Sequence, residues 1–215
     1  MPTYFHMSLL FSRGALYPDF IADFDAALDL AGLRFLAGYL EDRDLPQAEI
    51  AAWNQKKLEA DFVLGLTTHC SRDYKQTLYR FGDYSEVRGF WMNRYPKRSA
   101  FTYTILIPQS EVLAYNLTFR AQAVSELTAL AKELWQFPPV EAVQTGLELS
   151  DPPLSLAELR RGVSPDASPF VIVAPDCHPY DDGSQATPLT GGRPGLLLLD
   201  TDMLSPDLPG SPAKI

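Results

Sequence analysis

The chain has 215 residues, a formal net charge of −9 at pH 7 and 46% hydrophobic residues. This suits one domain, or one domain with an appended segment, around a sizeable core. The negative charge argues against nucleic acid, which needs clustered Lys and Arg against phosphate; no apolar run nears the roughly 20 residues that span a bilayer; and Cys70 and Cys177 alone make no disulfide framework.

Residues 4–11 alternate, with Phe5, Met7, Leu9 and Phe11 on one side and His6, Ser8 and Leu10 on the other. That is a strand with one buried face. After Pro18, residues Phe20, Ile21, Phe24, Ala27, Leu28 and Ala31 recur at helical spacing. Gly32 interrupts or caps this helix. Residues 33–40 read as a continuation or as a short strand. A second helix is expected from Pro46 to about Ala60, with Asp44 as cap and Gln47 where a capping box would place it. Ile50, Trp53, Asn54 and Leu58 lie on one of its faces.

The centre of the chain is a meander. Residues 74–81, 86–93 and 101–107 read as three strands joined by short polar turns, and Gly82-Asp83 supplies the first turn. Both faces of the middle strand are bulky, which places it inside a sheet. Trp91 and Ile105 are expected core members. A third helix, capped by Thr118, carries Val124, Leu127, Leu130, Ala131 and Leu134 as its apolar stripe. Pro138-Pro139 ends it, and residues 140–149 read as another strand. Residues 156–161 suit a short helix, and residues 170–173 and 196–199 suit buried strands. The expected fold is α+β, two layers, with a mostly antiparallel sheet and helices packed on one face. Residues 1–150 form the core domain, and residues 151–215 a Pro- and Gly-rich segment packed on it with a mobile tail.

Charge is uneven along the chain. Residues 14–61 hold ten acids against four bases, and residues 151–215 hold nine against four. The meander between them is near neutral. The flanking acids are therefore the candidates for contact with a protein partner: Asp25, Asp29, Glu41, Asp42, Asp44, Asp181 and Asp182.

Chemistry-bearing constellations are few. His69-Cys70 and Cys177-His178 together offer two thiols and two imidazoles, but adjacent residues lack the two-to-four-residue spacing of zinc ligands, so no metal is expected. The enzymatic alternative is a small hydrolase or transferase with Cys177 as nucleophile, His178 as base and Asp176 as its orienter. No phosphate-cradling glycine loop and no dinucleotide fingerprint occur, so no cofactor is expected. The N-terminus lacks the features of a signal peptide, which points to the cytoplasm.

The stretches Trp53-Asn54-Gln55-Lys56-Lys57-Leu58, Asp73-Tyr74-Lys75-Gln76 and Gly89-Phe90-Trp91-Met92 lie in an acidic chain with the order strand, two helices, meander, helix, strand. Across about residues 1–150 this resembles the small α+β immunity proteins of bacterial toxin–immunity systems. The resemblance transfers no residue roles. It implies a protein without catalytic residues that binds and blocks a cognate toxin.

Overall fold

The computed structural model describes residues 3–60, 74–93, 100–148, 153–177 and 186–205. Strand β1 (Tyr4–Ser12) opens the chain, followed by α1 (Phe20–Leu30), β2 (Arg34–Gly38) and α2 (Gln47–Glu59). The meander is β3 (Thr77–Arg80), β4 (Val87–Met92) and β5 (Ala100–Pro108). Then come α3 (Gln109–Val112), β6 (Phe119–Arg120), α4 (Ala121–Trp135), β7 (Val140–Leu147) and α5 (Leu156–Arg160). Strands β8 (Phe170–Val173), β9 (Ala186–Pro188), β10 (Leu196–Leu199) and β11 (Leu204–Ser205) complete it.

Nine strands form one sheet in the order β2-β3-β4-β5-β1-β7-β8-β10-β9. Every pairing in it is antiparallel. The α+β class with a large antiparallel sheet is therefore observed. β4 lies inside the sheet, as its two bulky faces require. β8, β10 and β9 extend that sheet beyond β7, and β11 pairs in parallel with β6.

Helices α1, α2 and α4 cover one face. Phe20, Phe24 and Leu28 of α1 and Leu127, Leu130 and Leu134 of α4 meet Phe5, Met7, Leu9 and Phe11 of β1, all fully buried or nearly so. An aromatic cluster fills the middle, with Phe11, Phe20, Phe24, Trp91, Phe101 and Tyr103 in mutual ring contact. Edge-to-face and offset rings of this kind add to the energy of burial alone. On the opposite face, α5 seals a smaller core, where Leu156 and Leu159 pack on Leu10, Ala142, Val171 and Leu198. α5 starts with a capping box in which Ser155 and Glu158 bond reciprocally.

One open reading is decided and two local expectations are corrected. Gly32, at φ +94°, terminates α1, and β2 follows it as a strand. Asp44 does not cap α2; Pro46 holds the cap position, without a side-chain bond. Thr118 does not cap α4, because its backbone N–H and its hydroxyl both donate to Asn116 Oδ1 two residues back, and Arg120 precedes the helix instead. In both failures another local bond or proline geometry was available to the backbone before the helix began.

The Gly191–Gly195 segment clamps the end of α4. Arg193 Nη1 donates to the carbonyls of Trp135 and Phe137 at 3.3 and 3.4 Å and also reaches Val140 O. Its guanidinium lies 4.2 Å from the centre of the Trp135 ring. A cation on the last carbonyls of a helix is favoured by the helix dipole.

The Tyr103 hydroxyl lies directly over Gly89 on the neighbouring strand, where any Cβ would collide with it. Gly89→Ala is expected to lower stability by about 1–3 kcal/mol through overpacking, read as a fall in denaturant midpoint at unchanged slope.

Candidate functional site

The turn after β2 carries two properties that folding alone does not select. Leu40 has φ +51°, in the left-handed region, and its side chain is 65% exposed. Such backbone costs an L-residue about 1–2 kcal/mol and is usually given to Gly or Asn. Exposure in turn removes the burial that would favour leucine.

The turn is held rigidly. Gly38 lies so close beneath Asp42 that a Cβ would strike the Asp42 carbonyl. Tyr39 N donates to Gln76 O at 2.9 Å, and Asp42 N donates to Tyr39 O at 3.1 Å. The Asp42 carboxylate is ion-paired with Lys75. Lys75 is fixed in turn by α2, where Asn54 Nδ2 donates to Lys75 O at 2.9 Å and Asn54 Oδ1 accepts from Lys75 N at 2.8 Å. The Lys75 ammonium also lies 4.9 Å from the centre of the Trp53 ring, and Lys57 lies 5.2 Å from it. Trp53 itself is 42% exposed.

On the other side of the turn, Tyr39 stacks on Arg88 at 4.6 Å, and Tyr4 stacks on the same guanidinium at 5.0 Å. Arg88 stands on the sheet face opposite α1 and α2, since Val87, Gly89 and Trp91 of β4 point toward the helices. Trp53, Lys75, Asp42, Tyr39, Arg88 and Tyr4 thus form one chain of contacts around the β2 edge, with Leu40 next to Tyr39 in sequence. Trp, Tyr and Arg are the side chains that anchor protein interfaces. Exposed Glu41 and Asp44 flank the leucine.

The acids singled out from the sequence have separate fates. Glu41 and Asp44 are exposed beside Leu40. Asp42 is engaged by Lys75, and Asp29 is ion-paired with Arg34. Asp25 faces inward, into a recess between α1, α2 and the sheet. Burial pushes its carboxyl up from 3.8 to about 7, and the polar side chain of Gln47 acts the other way. Asp181 and Asp182 lie outside the described residues.

The sequence matches no family model, no curated protein and no solved structure.

For the cysteine alternative, Cys177 is buried and its thiol is pushed up by burial and by the adjacent Asp176 carboxylate. Activation of a thiol nucleophile needs the opposite shift. Asp176 Oδ1 lies 3.8 Å from Cys177 Sγ, while His178, His69 and Cys70 lie outside the described residues. His6 stands on the sheet face away from α1 and α2, and burial pushes its imidazole down. No group of three potential metal ligands occurs among the described residues, and no helix among them is long and apolar enough to cross a membrane.

Two features escaped the sequence reading. Leu40 gave no signal, because a left-handed leucine looks like any other leucine in Gly-Tyr-Leu-Glu-Asp. The second is a ring of buried hydroxyls: Thr77 donates to Tyr79 at 2.8 Å, and Tyr79 and Tyr103 share a hydrogen bond of 2.8 Å. Burial holds both phenols far above their ordinary range. Period-two alternation puts Thr77 and Tyr79 of β3 on one sheet face; the register through β4 then brings Tyr103 of β5 to them.

Proposed function

We propose that this chain is a non-catalytic protein-binding module that recognises its partner through the Leu40 turn, with Trp53, Tyr39 and Arg88 beside it. The observation that carries this reading is Leu40, an exposed apolar side chain on strained backbone that neither stability nor solubility explains. Strain of this kind persists where function uses it. Glu41 and Asp44 at its rim fit a partner with an apolar pocket bordered by basic residues. The partner we propose is a bacterial toxin, blocked by occupation of its surface; that identity rests on the resemblance of residues 53–58, 73–76 and 89–92 to immunity proteins.

Leu40→Asn tests the reading, because asparagine accepts left-handed backbone. Stability should stay within about 1 kcal/mol of the original, while affinity for the toxin encoded beside this gene falls at least about tenfold, as expected for an interface anchor. Calorimetric titration measures both partners directly. Undiminished affinity in the variant, or no association with the neighbouring gene product, would remove the proposal. Binding should also weaken as salt is raised, since the rim acids are exposed.

A further inference from the structure

The nine-stranded sheet has two edges, β2 and β9. A free edge presents a row of backbone N–H and C=O groups that can pair with another chain, and folded proteins usually guard it. β9 is guarded. It is three residues long and ends in Pro188, which has no N–H to donate. β2 is five residues long and contains no proline. It pairs with β3 on one side, and among the described residues no strand lies on its other side.

β2 does carry a charge, Arg34, and a bulge, both of which can protect an edge. Neither closes this one. Arg34 is ion-paired with Asp29. The bulge leaves Leu36 without a register partner on β3, and Leu36 is 51% exposed. Bulges at sheet edges re-aim a side chain, and this one gives a leucine to solvent.

Apolar exposure is concentrated here. Seven large hydrophobic residues are exposed among the described residues. Four of them cluster around β2: Leu36 on the strand, Leu30 just before it, Leu40 just after it, and Trp53 on α2, which packs on β2. Singly scattered surface residues need no explanation, but a concentration along one open edge marks a site of contact. Charge gives that edge a direction. Beyond its C-terminal end Glu41 and Asp44 outnumber Arg43, all three exposed, while Arg34 at its N-terminal end is matched by Asp29. A second copy of the chain fits less well, because residues 14–61 hold ten acids against four bases and would face the same excess.

We propose that the partner contributes an extended segment that pairs with β2 as a tenth strand. Its apolar side chains lie against Leu36 and Leu40, and a Lys or Arg at one end meets Glu41 and Asp44. Main-chain hydrogen bonds to β2 supply affinity, and the flanking side chains supply specificity. Strand addition rests on the reading of the Leu40 turn as an interaction surface, but not on the partner being a toxin.

Backbone amide exchange reads the edge directly. In the complex with the toxin encoded beside this gene, amides of residues 34–38 that face away from β3 should exchange at least about tenfold more slowly. Those paired with β3 should change little. Leu36→Lys puts on the edge the residue that most often guards one. Stability should hold, because position 36 is exposed, and affinity should fall at least about tenfold. Random heptapeptides selected on the purified protein test the edge with no toxin. Selected peptides should slow the same amides, alternate apolar residues with a basic one among them, and fail to bind Leu36→Lys. Tight toxin binding that leaves the outer β2 amides unchanged overturns strand addition and leaves the Leu40 surface standing. Outer amides already slow in the free protein, with Leu36→Lys converting a dimer to a monomer by light scattering, overturn it as well, since a second copy then holds the edge. Peptides that pair with β2 in the absence of any toxin binding support strand addition and sink the toxin. Neither toxin nor any selected peptide on β2 sinks both.

Discussion

Trp91→Ala is expected to lower the stability of this protein by about 3–5 kcal/mol, the range for emptying a buried tryptophan site. Trp91 is 2% exposed. Its ring lies 4.7 Å from that of Tyr103, 5.2 Å from Phe24, 5.6 Å from Phe11 and 5.8 Å from Phe20. The contacts join β4 to β5, to β1 and to α1. Alanine leaves a void that these large rings cannot collapse into without giving up their edge-to-face geometry, so relaxation recovers little of the loss. In a domain stable by about 5–15 kcal/mol, this is a large fraction of the total. The melting temperature should fall by on the order of 10 °C. Trp91→Phe should cost much less, because it retains most of the apolar volume. Equilibrium urea unfolding of the two variants checks both statements, and an Ala variant within about 1 kcal/mol of the original would show that the cluster does not hold the layers together.

Asp25→Asn should act in the opposite direction and depend on pH. The folded-state carboxyl is raised from 3.8 to about 7 by burial. A group raised on folding binds its proton more tightly in the native state. Its contribution is therefore fully present below about pH 4, declines as pH rises, and is lost once the native carboxyl has ionised above about pH 7. A carboxyl lifted this far costs the folded state on the order of 4 kcal/mol at alkaline pH, relative to acid. Asparagine has nearly the same shape and no charge. It should stabilise the protein by about 2–4 kcal/mol at pH 8 and change it little near pH 4. Unfolding free energies at several pH values for both proteins provide the check. Equal stability at pH 8 would mean that Asp25 is hydrated in the native state.

Much of the architecture is legible in the residues. Alternation in β1 and β5 places Phe5, Met7, Leu9 and Phe11 beside Phe101, Tyr103, Ile105 and Ile107, and the register pairs these two sets residue for residue. The helical stripe of α4 falls where its spacing puts it, with Val124, Leu127, Leu130, Ala131 and Leu134 all buried. Helix starts were less legible. Asp44 and Thr118 have the chemistry of caps, yet a helix begins where the chain's path lets it. Residues 33–40 were ambiguous because β2 is a short edge strand with a bulge between Phe35 and Ala37, so its alternation is broken.

The candidate surface was half legible. Charge counting selected Glu41, Asp42 and Asp44, which do lie on the turn. It also selected Asp25, whose charge is suppressed by burial, and Asp29, which is spoken for by Arg34. Linear charge counts treat every carboxylate as exposed and free. Whether it is depends on what other segments place around it.

Composition and periodicity by themselves determined that this chain folds as α+β around an aromatic meander, because burial of alternating and helically spaced apolar residues is a local rule summed along the chain. Only the tertiary structure decided that β8, β10 and β9 continue the same sheet, that Arg193 clamps α4, that Asp25 faces inward, and that Leu40 stands exposed on left-handed backbone. Each of these depends on contacts between residues far apart in the chain or on a backbone angle, and neither is written in side-chain identity.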